Sequence, residues 1–392
     1  EQLPAGRSLK TAGVYDAMDA AGARWGNSWG MEVPLYFAPQ GFVETPTLKR
    51  SNAFDIVARE CRKVREGVGL LDITAFSRYE VSGPQAEAWL DRLLACALPK
   101  PGRAKLAPML GENGKLKGDL TVFNWGDGCW WIMGSYYLRQ WHMRWFEQHL
   151  ADGVSVRDIS DAVVGFSLAG PNARRVLERL THQDVSHQAF GFLACKTLDV
   201  GLVRAKVGRL SVIGELGYEI HCGANEHAGL RRALLSAGSD LGITEYGFGA
   251  VNSLRLEKSF GIWSREFTQD YTPDETGMDR WIAFDKGDFI GRDAALKKQQ
   301  AGARRTLVTL EIDAADADAS GYEPVWSRGK LAGFVTSGGY GHTVGKSLAM
   351  ALVERDAAGT DTELTTHIVG VERSARVIAS SPYDPLGKAM RA

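Results

Sequence analysis

Apolar and polar positions alternate along this chain with two different periods, and the switches between them mark its elements. Arg78-Tyr79-Glu80-Val81 and Val164-Gly165-Phe166-Ser167-Leu168 read as half-buried strands. Each runs into a Gly-Pro pair and then an apolar stripe at helical spacing: Ala86, Trp89, Leu90, Leu93 and Leu94 after the first, Ala173, Val176, Leu177 and Leu180 after the second. The pattern predicts strand then helix, twice, with Gly83 or Gly170 as cap. Pro84 or Pro171 is expected at the first helical position, where a missing N–H costs nothing. Gly83 to Leu93 and Gly170 to Leu180 also share Gly, Pro, Ala, Leu, Arg and Leu in register, an internal repeat. Further strand-like runs follow each helix, Leu120 to Asn124 and Trp130 to Met133, then Val203 to Val207 and Tyr218 to His221. The body therefore reads as two related α+β halves packed as one domain.

From Arg305 the pattern changes. Val308, Leu310 and Ile312 alternate with Thr309 and Glu311, and strand-like stretches follow at Lys330 to Ser337, Ser347 to Val353 and Glu363 to Ile378, split by Gly-rich turns. This predicts a small antiparallel β barrel. The run Asp313 to Ala319, only Ala and Asp, is expected to be a loose loop. At the other end, Pro4, Gly6, Trp25, Gly26, Trp29, Gly30, Pro34 and Pro39 forbid one long helix and suggest an arm lying on the body. The expected divisions are an arm over 1–45, the duplicated body over 46–300 and the barrel over 301–392.

Bulk properties narrow the function by exclusion. At 392 residues the chain exceeds what one core usually serves. Its 46 Lys plus Arg balance 47 Asp plus Glu, so no charge excess points to nucleic acid or an anionic membrane surface. Five scattered cysteines, Cys61, Cys96, Cys129, Cys195 and Cys222, form no CxxC pair and suggest reduced, mostly buried thiols. No apolar run approaches a membrane span, and the start EQLPAGRSLK has no signal-peptide core, so the expected location is cytoplasmic. There is no Walker loop, HExxH or GxSxG, and Gly247-Phe248-Gly249-Ala250-Val251-Asn252 lacks the last glycine of a dinucleotide fingerprint. The eight histidines show no triad or metal spacing and read as structural or solvated. With no metal site in view, the expected chemistry is proton transfer and positioning by carboxylates and aromatics.

Seven motifs in order then carry a resemblance: Val64-Arg65-Glu66-Gly67-Val68-Gly69-Leu70-Leu71-Asp72, Tyr79-Glu80-Val81-Ser82-Gly83-Pro84, Gly118-Asp119-Leu120-Thr121-Val122, Gly214-Glu215-Leu216-Gly217-Tyr218-Glu219, Ser253-Leu254-Arg255-Leu256-Glu257-Lys258, Phe289-Ile290-Gly291-Arg292 and Pro382-Tyr383-Asp384-Pro385. From about Leu9 to Pro385 the chain resembles the glycine-cleavage aminomethyltransferase (T-protein) family, especially its branch fused to dimethylglycine and sarcosine dehydrogenases. The resemblance implies an α+β fold: a duplicated ferredoxin-like folate-binding body followed by a small β barrel, three units around a central folate channel. It implies tetrahydrofolate as cofactor. It places Asp119 at the catalytic carboxylate, near the N5 to N10 region of the folate. Thr121, on the same strand face, becomes a second polar contact, and Glu219 the partner of the amino-pyrimidine edge, where a carboxylate can accept two N–H bonds. Arg255 and Glu215 are further cofactor-binding candidates, Arg255 toward the folate tail or a carboxylate, Glu215 toward Arg255 or the backbone.

Two departures shape the expected activity. Family T-proteins place a tyrosine seven residues before the pterin glutamate and an arginine four residues before the LRLE arginine; here these are Val212 and Val251. The losses argue against a housekeeping T-protein and for the demethylating branch, which Lys258 to Trp263 and Asp270 to Thr276 also resemble. The first expectation is a demethylase moving a methyl or methylene unit from a small N-, O- or S-methylated substrate to tetrahydrofolate. The alternative is the folate half of a dimethylglycine or sarcosine oxidising system with a flavoprotein oxidase partner, which the Glu1 start and an arm resembling the family's interdomain junction favour. A third is a non-catalytic folate-binding regulator, although Lys258-Ser259-Phe260 lacks the cysteine of that branch. Trp25, Trp29, Tyr36, Trp125, Trp263 and Tyr271 offer aromatic walls for a cationic donor, but each reads equally as core or arm packing.

Overall fold

The computed structural model describes residues 10–392. The first part of the expected arm, with Pro4 and Gly6, lies outside the described residues. From Lys10 onward the arm is a short helix, Tyr15–Ala20, and a two-stranded hairpin, Ala23–Ser28 with Met31–Phe37. Met31, Val33 and Tyr36 anchor the hairpin by burial.

The internal repeat is a structural duplication. One sheet runs Arg103–Leu110, Leu116–Asn124, Trp130–Ser135, Phe76–Ser82, Ser155–Asp158. The second runs Cys195–Val200, Val203–Gly208, Gly217–Gly223, Val163–Ala169, Gly69–Asp72, Thr244–Glu245. Strand for strand the second copies the first, with one insertion. Gly69–Asp72, which precedes the whole first half in sequence, pairs antiparallel with Val163–Ala169 inside the second sheet. Without the edge strands Arg103–Leu110 and Cys195–Val200, and without this insertion, each half has the ferredoxin-like order. Helices Ala86–Leu93 and Arg139–Gln148 cover the first sheet; Ala173–Glu178 and His227–Ala237 cover the second.

The repeated Gly-Pro corners differ in detail from the expectation. Gly83 and Gly170 both have positive φ, +111° and +127°, and a Cβ there would meet Gly153 O at 2.2 Å or Val64 O at 2.5 Å. Only glycine fits so close to another backbone. The helices then start at Ala86 and Ala173 behind the N-caps Gln85 and Asn172. Pro84 and Pro171 thus lie in the turn, two residues before the first helical position.

The C-terminal strands Arg305–Ile312, Pro324–Ser327, Lys330–Gly341, Lys346–Glu354, Glu363–Ile368 and Val371–Ile378 close a six-stranded antiparallel barrel. Its core includes Leu310, Ile312, Val335, Ala351 and Val377. The segment Asp313 to Ala319 is irregular but not loose. Ala317 and Ala319 are buried in the barrel core, and Arg50 donates to both oxygens of Asp318, at 2.8 and 2.7 Å. Composition could not reveal this anchor, because its partner is distant in sequence.

Candidate functional site

The strand Leu116–Asn124 has two chemically different faces. Leu120 and Val122 join the core beneath the covering helices. The alternate positions Asp119, Thr121 and Phe123 point the other way. In the second half Tyr218, Ile220 and Cys222 of Gly217–Gly223 enter the helix-covered core, leaving Glu219 and His221 on the opposite face. These two faces meet, since the Phe123 ring stands edge-on to the His221 ring with centroids 6.3 Å apart. A cluster drawn from both sheets, Ala104, Phe123, Trp131, Met133 and Cys195, fills part of the space between them. Strand alternation therefore puts Asp119 and Thr121 on the face that meets the Glu219 face at Phe123 and His221.

Asp119 is an unusual carboxylate. Its Oδ1 is buried with no hydrogen-bond partner, alone in this among carboxylate oxygens of the described residues. Burial pushes its pKa up to about 7, against its own backbone, and the nearby charge of Glu266 adds to the rise. Tyr137, which follows the next strand, has its hydroxyl buried and unpartnered beside it; burial raises this pKa too, Ser264 opposes the rise and Asp119 adds to it. Trp29, at the tip of the arm hairpin, stacks on Tyr137 at 4.8 Å and is 71% exposed. Of the six candidate wall residues, Trp29 thus reaches the vicinity of Asp119, whereas Trp25 stacks on Tyr15 within the arm and Trp125 stacks on Phe123.

Glu219 is 7% exposed, and no hydrogen bond to its side chain occurs among the described residues. Its pKa is also pushed up to about 7, by burial, with Arg78 pulling the other way. Among the described residues its partner within ion-pair distance is His221, Nε2 lying 3.7 Å from Oε2. Asp119 Oδ1 and the Glu219 carboxylate thus have no hydrogen-bond partner among the described residues, and a ligand presenting N–H groups would satisfy both.

Arg255 and Glu215 are placed differently. Arg255 pairs with the fully buried Glu266 at 3.0 Å, and its other donors go to Asn252 and Phe260 O. Glu215 accepts from Arg65 at 2.7 Å and from the Tyr383 hydroxyl at 2.9 Å, so its cation is Arg65 and not Arg255. Arg65 also holds Glu257 at 2.9 Å and stacks on Tyr383 at 3.9 Å. Four of the seven motifs therefore meet in one buried knot that ties the body to the C-terminal segment. Both residues are thus held in buried ion pairs.

Sequence reasoning missed His221, Arg78, Tyr137 and Glu266. The first had a signal: two residues beyond Glu219 on a strand is the same face. Glu266 lies in a patternless loop that gave none. A surface concavity of about 2020 Å³ on the barrel, lined by residues such as Arg50, Trp326 and His367, contains none of the five candidates. No helix among the described residues is long and apolar enough to cross a membrane.

A duplicated ferredoxin-like body closed by an antiparallel barrel defines the aminomethyltransferase T fold. The glycine cleavage system aminomethyltransferase T of Bartonella henselae superposes with a TM-score of 0.85 at 24% identity, over 96% of this chain and 99% of that one. Residues 14–286 match the GCVT N-terminal domain, and residues 305–384 match the glycine cleavage T-protein C-terminal barrel domain. The chain belongs to the glycine cleavage T-protein family, enzymes of tetrahydrofolate-dependent one-carbon chemistry. Mitochondrial dimethylglycine dehydrogenase of Rattus norvegicus is 32% identical over 385 residues, which are 96% of this chain but 45% of that protein. The chain thus spans under half the length of that relative. An aminomethyltransferase of Halalkalibacterium halodurans is 30% identical over 84% of this chain and 90% of its own length.

Proposed function

We propose that this chain transfers a methyl or methylene unit from a small N-, O- or S-methylated donor to tetrahydrofolate. The observation that carries this reading is the pair of unsatisfied carboxylates facing the inter-sheet space. The other buried acids around them are paired, Glu215 and Glu257 with Arg65 and Glu266 with Arg255. Asp119 and Glu219 are held without such partners at a cost in stability, the mark of groups kept for a ligand.

Tetrahydrofolate supplies the nucleophilic N5 that takes up the one-carbon unit. Glu219 accepts the N–H donors of the amino-pyrimidine edge and sets the register of the ring system. Asp119 lies toward N5 and N10; with a pKa near 7 it can take or return a proton at neutral pH. Thr121 adds a polar contact on the same face. Arg255 and Glu215 act through the frame, by fixing the loop that carries Glu266 and the turn before Glu219. Trp29 and Tyr137 wall the donor side at Asp119, where an aromatic face suits an ammonium or sulfonium donor.

A second reading is the folate half of a dimethylglycine or sarcosine oxidising system that depends on a flavoprotein. The 32% identity to dimethylglycine dehydrogenase across 96% of this chain favours it. Anaerobic incubation with tetrahydrofolate and a donor panel, with Asp119→Asn alongside, separates the two. Methyl-tetrahydrofolate from one donor, lost in the variant, supports direct demethylation. Methylene-tetrahydrofolate formed only when a flavin amine oxidase or formaldehyde is added supports the capture role. Folate binding without either product would overturn both in favour of a regulator.

A further inference from the structure

Arg78 is fully buried, yet no carboxylate among the described residues lies within ion-pair distance of it. Its Nη1 donates to Phe76 O at 2.9 Å, its Nη2 to Ile73 O at 2.8 Å and its Nε to His221 Nδ1 at 3.3 Å. A guanidinium has donors only, so His221 Nδ1 must accept, which leaves the proton of the neutral ring on Nε2. That nitrogen faces Glu219 Oε2 at 3.7 Å. The Phe123 and Trp131 rings stand edge-on to the imidazole and fix its plane. Burial, reinforced by the Arg78 charge, keeps the ring from taking a second proton.

We propose that Arg78 and His221 are positioning residues for Glu219: the buried guanidinium locks a neutral imidazole in its Nε2–H form, which aims the carboxylate, while the guanidinium itself supplies the positive charge on that side. This rests on Glu219 receiving the amino-pyrimidine edge. The 3.7 Å gap closes to a hydrogen bond as the ligand draws the carboxylate into place, the usual tightening on complex formation. One lone pair of Oε2 is then taken by His221, and the remaining lone pairs face the ligand's N–H groups. The other charged and titratable groups around this chain of contacts are Asp72 and Cys222, which act on Arg78, and His227, whose Nε2 is 3.5 Å from Asp72.

The test measures binding of 5-formyl-tetrahydrofolate by calorimetry across pH to the full chain and to His221→Leu, His221→Gln and Glu219→Gln. The glutamine amide can present an N–H where Nε2–H stood; leucine cannot. His221→Leu is expected to weaken binding by about 10- to 30-fold, as for loss of a hydrogen bond to a charged group, and to move the acid limb of binding to higher pH. His221→Gln should stay within about threefold of the parent, well inside the value of that bond. Equal losses in both His221 variants, or no loss in either, would overturn the positioning role while Glu219→Gln still loses binding. Unchanged binding in Glu219→Gln would instead overturn the folate-edge reading itself. Independently of any ligand, ¹⁵N spectra should show His221 neutral with Nδ1 unprotonated; an Nδ1–H tautomer would sink the proposal.

Discussion

Arg255 and Glu266 form a buried ion pair 3.0 Å across, and the same Glu266 is the like charge that acts on Asp119. One glutamate thus pairs with the Arg255 cation and acts on the candidate carboxylate Asp119 together. Glu266→Gln should strand the Arg255 cation and cost about 3–5 kcal/mol of stability. It should also remove one cause of the raised Asp119 pKa, so the kcat limb belonging to Asp119 should move to lower pH. A pH–rate profile with the limb unmoved would separate Glu266 from the chemistry.

Asp119 itself should stabilise the ligand-free protein when its charge is removed. Its pKa is about 7 in the fold against 3.8 as the ordinary value. Below the ordinary value both folded and unfolded chains hold the proton, and the favourable contribution is complete. As pH rises through 7 the folded chain must ionise a buried group, and that contribution is lost. Asp119→Asn should therefore gain about 1–3 kcal/mol at pH 8, the usual penalty of an unsatisfied buried group, and almost nothing near pH 4. Urea unfolding at the two pH values reads the difference.

The knot around Arg65 calls for the opposite result. Arg65→Leu leaves Glu215 and Glu257 buried without their cation and should cost about 3–5 kcal/mol. Tyr383→Phe removes one hydrogen bond to Glu215 and should cost about 1 kcal/mol. Thermal melts of both variants check the ranking. A larger loss in Tyr383→Phe would mean that the hydroxyl bond to Glu215, and not the ion pairs, ties the C-terminal segment down.

At the second repeat corner, Gly170→Ala should be among the most damaging small substitutions. Its φ of +127° is foreign to alanine, and the new Cβ would lie 2.5 and 2.6 Å from the Val64 and Gly67 carbonyl oxygens. A loss above about 2 kcal/mol is expected, since strain and a backbone clash act together. Gly229, where a Cβ meets nothing within 4 Å, serves as the control in the same assay.

Much of this architecture was legible because it rests on local periodicity. The strand-helix repeat at Gly83 and Gly170 and the alternation from Arg305 are burial patterns written residue by residue, and both are present in the fold. What escaped reading depends on contacts between distant segments. Glu215 was expected near Arg255 and found on Arg65, because nothing in spacing says which cation a turn will meet. Arg50 holding Asp318, and Arg78 reaching His221, are invisible for the same reason. Asp119 and Glu219 were nameable from their motifs, but their lack of partners became apparent only once the two sheets faced each other.

The placement of Gly69–Asp72 has a consequence for how the molecule is made. This short strand leaves the ribosome before the first half does, yet its neighbours Val163–Ala169 and Thr244–Glu245 emerge only later. The nascent chain must therefore carry an unpaired apolar edge, Leu70 and Leu71, past a completed half while it awaits its partner. A truncation that ends between the two halves should yield an aggregation-prone fragment and not a working module. The duplication visible in the sheets no longer corresponds to two pieces that can be separated.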